Sequence, residues 1–149
     1  MDIQANAAQI DAATDLESAV RLQDAELAME AIGRAYAAGL HPLHTKFLII
    51  LLEAPWHLRH EDIAFSLQQL RSPDAVDALE RTAHAHYDYL DYDEFFGLAR
   101  KCTWALADIG TPEAQEALTR LEGSKNELIA RYARKRLINW QSEMDRKGR

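Results

Sequence analysis

Apolar residues recur along most of this chain at spacings of three and four, the periodicity of an α-helix with one buried face. The clearest stripe has seven members, Phe95, Leu98, Ala99, Cys102, Ala105, Leu106 and Ile109. Residues 43–52 are apolar nearly all round, as expected of a helix packed between neighbours. No stretch alternates convincingly with the period of two that a strand requires. The pattern therefore predicts an all-α protein.

Capping residues and breakers divide the chain into about seven helices. Thr14 and Glu17 fit a capping box that opens a long helix over residues 14–38, with a break near Asp24 left open. The other helices are predicted at residues 43–53, 59–70, 73–86, 93–109, 112–122 and 126–141. Residues 1–149 read as one domain, in which we expect residues 1–13 to be weakly ordered and residues 142–149 to form a polar tail.

One helix pair is repeated within the chain. Residues 63–81 align with residues 102–120 at a constant offset of 39. In both copies the helices are joined by a hydroxyl residue followed by proline, Ser72-Pro73 and Thr111-Pro112. The hydroxyl is expected to cap the next helix, and the proline suits the first helical position, where no N–H is needed. The repeat predicts stacked helix–turn–helix units.

This pattern resembles the HEAT-like repeats of the phycobilisome-lyase type. The residues that carry the resemblance are Ala105-Leu-Ala-Asp-Ile-Gly-Thr-Pro-Glu-Ala-Gln-Glu-Ala-Leu and Ile129-Ala-Arg-Tyr-Ala. The likeness covers residues 59–141 and extends only loosely to the first third. It implies a short α-solenoid of antiparallel helix pairs. It does not specify a function, because the motif marks helix packing.

An insertion interrupts the repeat. A second echo relates residues 99–101 to residues 133–135 at an offset of 34, and the five-residue difference falls between Ala85 and Glu94. Tyrosine and carboxylate side chains, which suit an interface with a basic partner, crowd this segment. We predict that partner-binding residues are Tyr87, Asp88, Tyr89, Asp91, Tyr92, Asp93 and Glu94. The alternative is that the tyrosines pack beneath a loop while Asp93 and Glu94 cap the following helix.

Two further places are candidates for partner binding. The first is the segment containing Trp56, His60, Glu61 and Asp62. The second is Trp104, which lies off the apolar stripe, and which we expect either to pack against the next helix pair or to stand exposed in a groove.

No metal or other cofactor is predicted. His57 and His60 stand three apart, a spacing that a metal could use, and the dipeptide His60-Glu61 resembles the motif of deoxyhypusine hydroxylases, which are di-iron HEAT-repeat enzymes. The dipeptide occurs once, so a di-iron centre would lack its ligands. Cys102 lies on the apolar stripe and reads as an inert thiol. The chain is not expected to be an enzyme.

Charge is divided unequally between the two ends of the chain. Residues 1–94 hold 17 acidic and 6 basic side chains, whereas residues 95–149 hold 7 acidic and 11 basic. A nucleic-acid-binding body would want one continuous basic face, so no nucleic-acid partner is expected. The basic side chains near the end, among them Arg131, Arg134, Lys135 and Arg136, read as the polar outer face of a capping repeat.

The chain is expected to be cytoplasmic, with no membrane partner. The first residues do not fit a signal peptide, and the longest apolar run, Phe47–Leu52, is far too short to span a bilayer. The single cysteine suits a reducing compartment.

The details also resemble small bacterial HEAT-like proteins that serve as immunity partners of toxins. The segments that carry this likeness are residues 60–64, 67–70, 87–93 and 99–106. The resemblance implies an antidote that binds a toxin domain with a basic cleft and occludes its active site. A general adaptor or assembly scaffold is the alternative, and a metal-dependent HEAT-repeat enzyme is a more distant one.

Overall fold

The computed structural model describes residues 4–148, and within them the chain is all-helical, as predicted. Nine α-helices follow one another within residues 4–148. Their bounds are α1 Ala7–Leu22, α2 Ala25–Ala38, α3 Pro42–Leu52, α4 His60–Leu70, α5 Val76–Ala83, α6 Gly97–Ile109, α7 Pro112–Glu122, α8 Glu127–Ile138 and α9 Trp140–Arg146. Short 3-10 turns at Pro73–Ala75 and Asp88–Leu90 precede α5 and α6.

The helices stack as antiparallel pairs in two rows. The pairs are α1–α2, α3–α4, α5–α6 and α7–α8, and α9 packs on α8. One row consists of α1, α3, α5 and α7, and the other of α2, α4, α6 and α8, each helix contacting the next of its row. This is the short HEAT-like solenoid that the repeat predicts. We call the rows the odd row and the even row.

Buried leucine and alanine side chains form a continuous core between the rows. Leu16, Leu48, Leu67, Leu106 and Leu118 are among the residues with no solvent exposure. Alanines fill the closest helix contacts, most densely between α1 and α2. Because alanine keeps high helix propensity while letting backbones approach, this composition serves both the helices and their packing.

The repeated turn has the predicted geometry. The Thr111 hydroxyl accepts a hydrogen bond from the Ala114 N–H at 3.1 Å, and the Ser72 hydroxyl accepts one from the Asp74 N–H at 3.3 Å. Pro73 and Pro112 open their helical turns. Gly110 ends α6 in the left-handed conformation, with φ of 72°.

An ion pair between successive helix pairs is repeated along with the turn. Arg81 and Arg120, which align at the offset of 39, each reach back to a glutamate at the preceding step of the odd row. Arg81 donates two hydrogen bonds to Glu53 at 2.7 and 2.9 Å, and Arg120 donates two to Glu80, both at 2.8 Å. The same exposed bidentate contact thus ties successive pairs twice.

The first helix begins earlier than predicted. Asn6 and Gln9 form the capping box, with the Gln9 N–H donating to Asn6 Oδ1 at 2.8 Å and the Asn6 N–H donating to Gln9 Oε1 at 2.9 Å. Thr14 lies inside α1 and its hydroxyl donates to the Ile10 carbonyl. The helix predicted to begin at Thr14 therefore begins at Ala7, and residues 1–3 lie outside the described part.

Two predicted helices are each divided in two, which raises the count from seven to nine. Gln23 adopts a left-handed φ of 51° and Asp24 caps α2. The helix predicted over residues 14–38 is therefore broken near Asp24. Asn139 separates α8 from α9, and its side-chain amide donates to the Lys135 carbonyl. Asparagine competes in this way with the helical backbone. The predicted polar tail is thus largely the helix α9.

We expect truncation of the central Leu106 to destabilise the protein strongly. Leu106→Ala should lower the free energy of unfolding by about 2–5 kcal/mol, because it removes a fully buried side chain and leaves a cavity. Urea denaturation followed by circular dichroism measures the change. The matched control is Leu58→Ala, since Leu58 is 65% exposed. Equal losses in both variants would contradict the core assignment.

Candidate functional site

The insertion forms a loop over residues 84–96, here called the α5–α6 loop, and a stack of rings anchors it. The rings of His57 and His60 lie parallel with centroids 4.2 Å apart, and the ring of Tyr87 continues the stack 3.8 Å from His60. The Tyr87 hydroxyl also donates to the Leu52 carbonyl at 3.4 Å. Tyr87 is therefore an anchor of the loop, half-buried against the core.

Hydrogen bonds lock His60 into one neutral form. Its Nε2 lies 2.7 Å from the Ala54 carbonyl, which can only accept, so Nε2 carries the proton. Its Nδ1 accepts from the Tyr89 hydroxyl at 2.7 Å, and that hydroxyl accepts from the His60 backbone N–H at 3.2 Å. Tyr89 thereby holds the loop to the beginning of α4.

His57 is satisfied in the same manner. Its Nε2 donates to the Leu51 carbonyl at 2.6 Å and its Nδ1 accepts from the Arg59 N–H at 3.0 Å. Neither His57 nor His60 retains a ring nitrogen for a metal, so the spacing of three reflects packing. Burial lowers the pKa of both imidazoles, and that of His60 falls to about 4.

Burial corrects the assignment of His60 as a partner-binding residue. The side chain has no solvent exposure, so it cannot touch a partner directly. Tyr87 and Tyr89, both half-buried, fit the alternative in which tyrosines pack beneath the loop. Their place in the site is to support the loop from below.

The outer surface of the α5–α6 loop combines aromatic rings with carboxylates. Tyr92, Phe95 and Phe96 are 79%, 70% and 46% exposed. The exposed acids around them are Asp88, Asp91 and Glu94. We call these six residues the loop surface.

The periodicity misplaces Phe95. It assigns Phe95 to the buried stripe, but α6 begins at Gly97, so the helical spacing does not extend back to Phe95. Asp93 sets this boundary by accepting hydrogen bonds from the N–H groups of Phe95 and Gly97, both at 2.9 Å.

Glycine at position 97 leaves room for the Asp93 carboxylate at the turn into α6. Phe96 takes a left-handed φ of 52°, and a Cβ on Gly97 would lie only 2.5 Å from Asp93 Oδ2. Any other residue there would push Asp93 out of its capping position. This tight turn projects the Phe95 and Phe96 rings from the base of the loop.

A cavity of about 500 Å³ opens beneath the loop, between the end of α5 and the beginnings of α6 and α8. Its walls include Leu90, Phe96 and Ile129, with Asp91 and Glu94 on the loop side. An apolar recess with acids on one side can receive the aliphatic stem and charged end of a lysine or arginine.

The other predicted residues lie apart from the loop surface. Trp56 is half-buried and meets the edge of His57 with centroids 5.3 Å apart. Glu61 pairs with Lys101 at 3.1 Å and Asp62 with Arg59 at 3.7 Å. Both acids line a separate groove, which the structure places between α2 and α4.

That groove, here called the even-row groove, has a volume of about 580 Å³. Its apolar lining includes the partly exposed Met29, Tyr36 and Phe65. The Tyr36 and Phe65 rings lie 6.2 Å apart. Phe65 is the repeat equivalent of Trp104, so equivalent positions on α4 and α6 face two different environments.

Trp104 packs against the next helix pair, which is the first of the two arrangements expected from the sequence. The Arg136 guanidinium lies 3.5 Å from the indole centroid, and Trp104 is half-buried. Arg136, expected on a polar outer face, is instead buried and paired with Glu143 at 2.8 Å. The reason is α9, which folds back over α8 and covers it.

Within residues 4–148, three ligand-type groups come close together at one exposed place. They belong to His86, Asp88 and Asp91, and His86 Nε2 lies 2.5 Å from Asp91 Oδ1. The imidazole–carboxylate contacts account for this proximity.

The single cysteine, Cys102, is buried. Burial raises the pKa of its thiol, which favours the unreactive protonated form.

Comparison with known proteins supports the fold. Residues 98–122, which form α6, the turn and α7, match the family described as PBS lyase HEAT-like repeat. No curated protein and no solved structure is significantly similar to the chain. The chain therefore contains a HEAT-like repeat. Separately, no helix among residues 4–148 is long and apolar enough to cross a membrane.

Acid should destabilise the ring stack. Because the pKa of His60 is about 4 in the folded state and ordinarily 6.5, the unfolded chain binds more protons between these values. The free energy of unfolding should therefore be highest above pH 6.5 and should fall by about 3 kcal/mol as the pH drops to 4. Urea denaturation across this pH range measures it. His60→Gln should flatten the dependence and His84→Gln, at an exposed site, should not.

The Tyr89 hydroxyl should be worth more to stability than that of Tyr92. Tyr89→Phe leaves the His60 Nδ1 and N–H without their partner and should lower the free energy of unfolding by about 1–3 kcal/mol. Tyr92→Phe removes a hydroxyl from a side chain that is 79% exposed and should change little. Thermal and urea denaturation compare the two. A neutral Tyr89→Phe would refute the anchoring role.

Proposed function

We propose that this HEAT-like protein is a protein-binding module whose principal contact is the loop surface. The observation that carries the proposal is the exposure of Tyr92, Phe95 and Phe96 together on a loop that is fixed from below. Aromatic side chains contribute large contact areas and dominate interface energetics. A fixed loop loses little conformational entropy on binding, which increases affinity.

The acids of the loop surface select the partner's charge. Asp88 is 95% exposed at its side chain, and Asp91 and Glu94 are also exposed. The cavity behind them offers a recess for a basic side chain. A partner that presents lysine or arginine beside an apolar patch fits this surface, and long-range attraction would accelerate its association.

Among such partners, we propose a bacterial toxin domain with a basic cleft, which would make the chain an immunity protein. The support is the resemblance of residues 60–64 and 87–93 to immunity proteins, together with the acidic aromatic character of the loop surface. A surface of this kind can occupy a cleft that normally receives an anionic substrate. Occlusion of the active site would then neutralise the toxin without catalysis by this chain.

A general assembly scaffold is the second candidate, and the even-row groove favours it. Tyr36 is 57% exposed and Phe65 41% exposed, in a recess separate from the loop surface. A module with two aromatic surfaces can hold two partners at once. A metal-dependent enzyme is disfavoured, because the hydrogen bonds of His57 and His60 occupy all four of their ring nitrogens.

The double variant Tyr92→Ala/Phe95→Ala tests the loop surface. It should weaken binding of the cognate partner by at least about a hundredfold, since hot-spot aromatics are each worth about 2 kcal/mol or more. The toxin form is tested by co-expression with a toxin encoded beside the gene, with growth as the measurement. The double variant should lose protection and keep the native circular dichroism.

The matched control is Leu58→Ala/Ile138→Ala, which removes exposed apolar side chains that are 65% and 75% exposed elsewhere. This control should protect fully. Full protection by Tyr92→Ala/Phe95→Ala would refute the loop surface as the contact. Binding of a non-toxin partner through the loop surface would favour the scaffold instead.

A further inference from the structure

We propose that a second, basic pocket between α6 and α8 binds carboxylate groups of an acidic protein segment. The pocket has a volume of about 240 Å³ and is lined by Arg100, Trp104, Arg131, Tyr132, Lys135 and Arg136, together with Thr103. We call it the α6–α8 pocket. The proposal rests on the protein-binding function, since it specifies the chemistry of a second contact with a protein.

Unpaired positive charge is concentrated at the α6–α8 pocket. No carboxylate lines it, and Arg100, Arg131 and Lys135 are exposed and form no ion pair within residues 4–148. The other arginines of the last repeats are different in this respect, because Arg120 pairs with Glu80 and Arg134 with Glu122. Three cations thus converge on one recess without a counter-charge.

A buried arginine forms the rigid wall of the pocket. Arg136 is only 4% exposed, stacks on Trp104 and pairs with Glu143. Burial lowers its pKa, and the nearby positive charge of Arg100 acts in the same direction, although Glu143 opposes both. An anion in the pocket would relieve the repulsion between these guanidinium groups, and the wall needs no rearrangement to receive it.

Carboxylates of a protein fit better than the phosphates of a nucleic acid. Arginine forks bind carboxylates and phosphates alike with two parallel hydrogen bonds, so the surroundings of the pocket decide between them. One face of Trp104 is covered by Arg136, which reduces the aromatic surface available for base stacking. The chain has a net charge of −7, which repels a long polyanion beyond the pocket.

The α6–α8 pocket adjoins the α5–α6 loop. Tyr132 lines the pocket, and its hydroxyl is hydrogen-bonded to the backbone of Phe95. A partner that spans both places would present a basic region to the loop surface and an acidic segment to the pocket. This arrangement would fix the orientation of the partner, because a reversed partner would set like charges against each other.

A capped hexaglutamate peptide is the probe for the test, in a titration followed by the indole N–H signals of the three tryptophans. Trp104→Phe assigns the signal of Trp104. We expect a saturable shift of this signal, with little change at Trp56, which lies in the α3–α4 connection. Binding should weaken with added salt.

The charge variant is Arg100→Gln/Arg131→Gln/Lys135→Gln, and its matched control, Arg21→Gln/Arg71→Gln/Lys125→Gln, removes three exposed cations elsewhere. The first should weaken peptide binding by at least about tenfold, as expected for the loss of even one charge-assisted hydrogen bond, and the control should not. Both should unfold at the temperature of the parent protein.

Several results would overturn the proposal. These are the absence of a saturable Trp104 shift, an equal loss in the control variant, or tighter binding of an oligothymidylate of matched charge through the same three cations. Concentration-dependent self-association that the charge variant abolishes would show that a second copy occupies the pocket, which also overturns it. None of these results depends on the loop surface, so the fate of the proposed function is decided separately.

Discussion

Each helix pair in this protein can bury its apolar side only against the next pair, and the architecture depends on this constraint. The consequence is a core that runs continuously from α1 to α8, with leucines between the rows and alanines where helices approach most closely. The ends of such a stack need separate solutions. At the beginning, α1 and α2 close the core with alanine-rich faces.

At the other end, α9 covers the last helix pair and is held there by ion pairs. It folds over α8 and buries the Arg136–Glu143 pair, while Lys147 reaches Asp108 of α6 at 2.5 Å. Buried ion pairs add little net stability, but each partner is needed once the other is buried. These contacts instead specify one position for the last helix, and in doing so they fix the Arg136 wall of the α6–α8 pocket.

The α5–α6 loop adds an exposed aromatic surface to the repeat without disturbing it. The insertion lies between two helices whose packing is set by the repeat, so its length affects only the connection. Its first two tyrosines hold it to the His57–His60 pair, and its later residues project outward. The division between anchoring and exposed residues within one short segment is what makes a rigid aromatic surface available.

The charge asymmetry of the chain becomes local when the helices are stacked. The acids of the first two thirds are spread over many helices, but those of the loop surface are concentrated around three exposed rings. Some cations of the last third are neutralised by glutamates of neighbouring helices, whereas Arg100, Arg131 and Lys135 line one pocket and form no ion pair within residues 4–148. Two small surfaces of opposite sign therefore lie beside each other.

The sequence by itself determined the all-α class, the helix-pair repeat and the turn at Thr111-Pro112, because periodicity and capping are local properties. It also located the insertion. It misplaced Phe95, since Asp93 caps α6 from outside and ends the helical spacing at Gly97. The burial of His60 and Arg136 was decided only in three dimensions, by partners 29 and 7 residues away, Tyr89 and Glu143. Tertiary contacts of this kind decide whether a polar residue is exposed or buried, and no local pattern encodes that outcome.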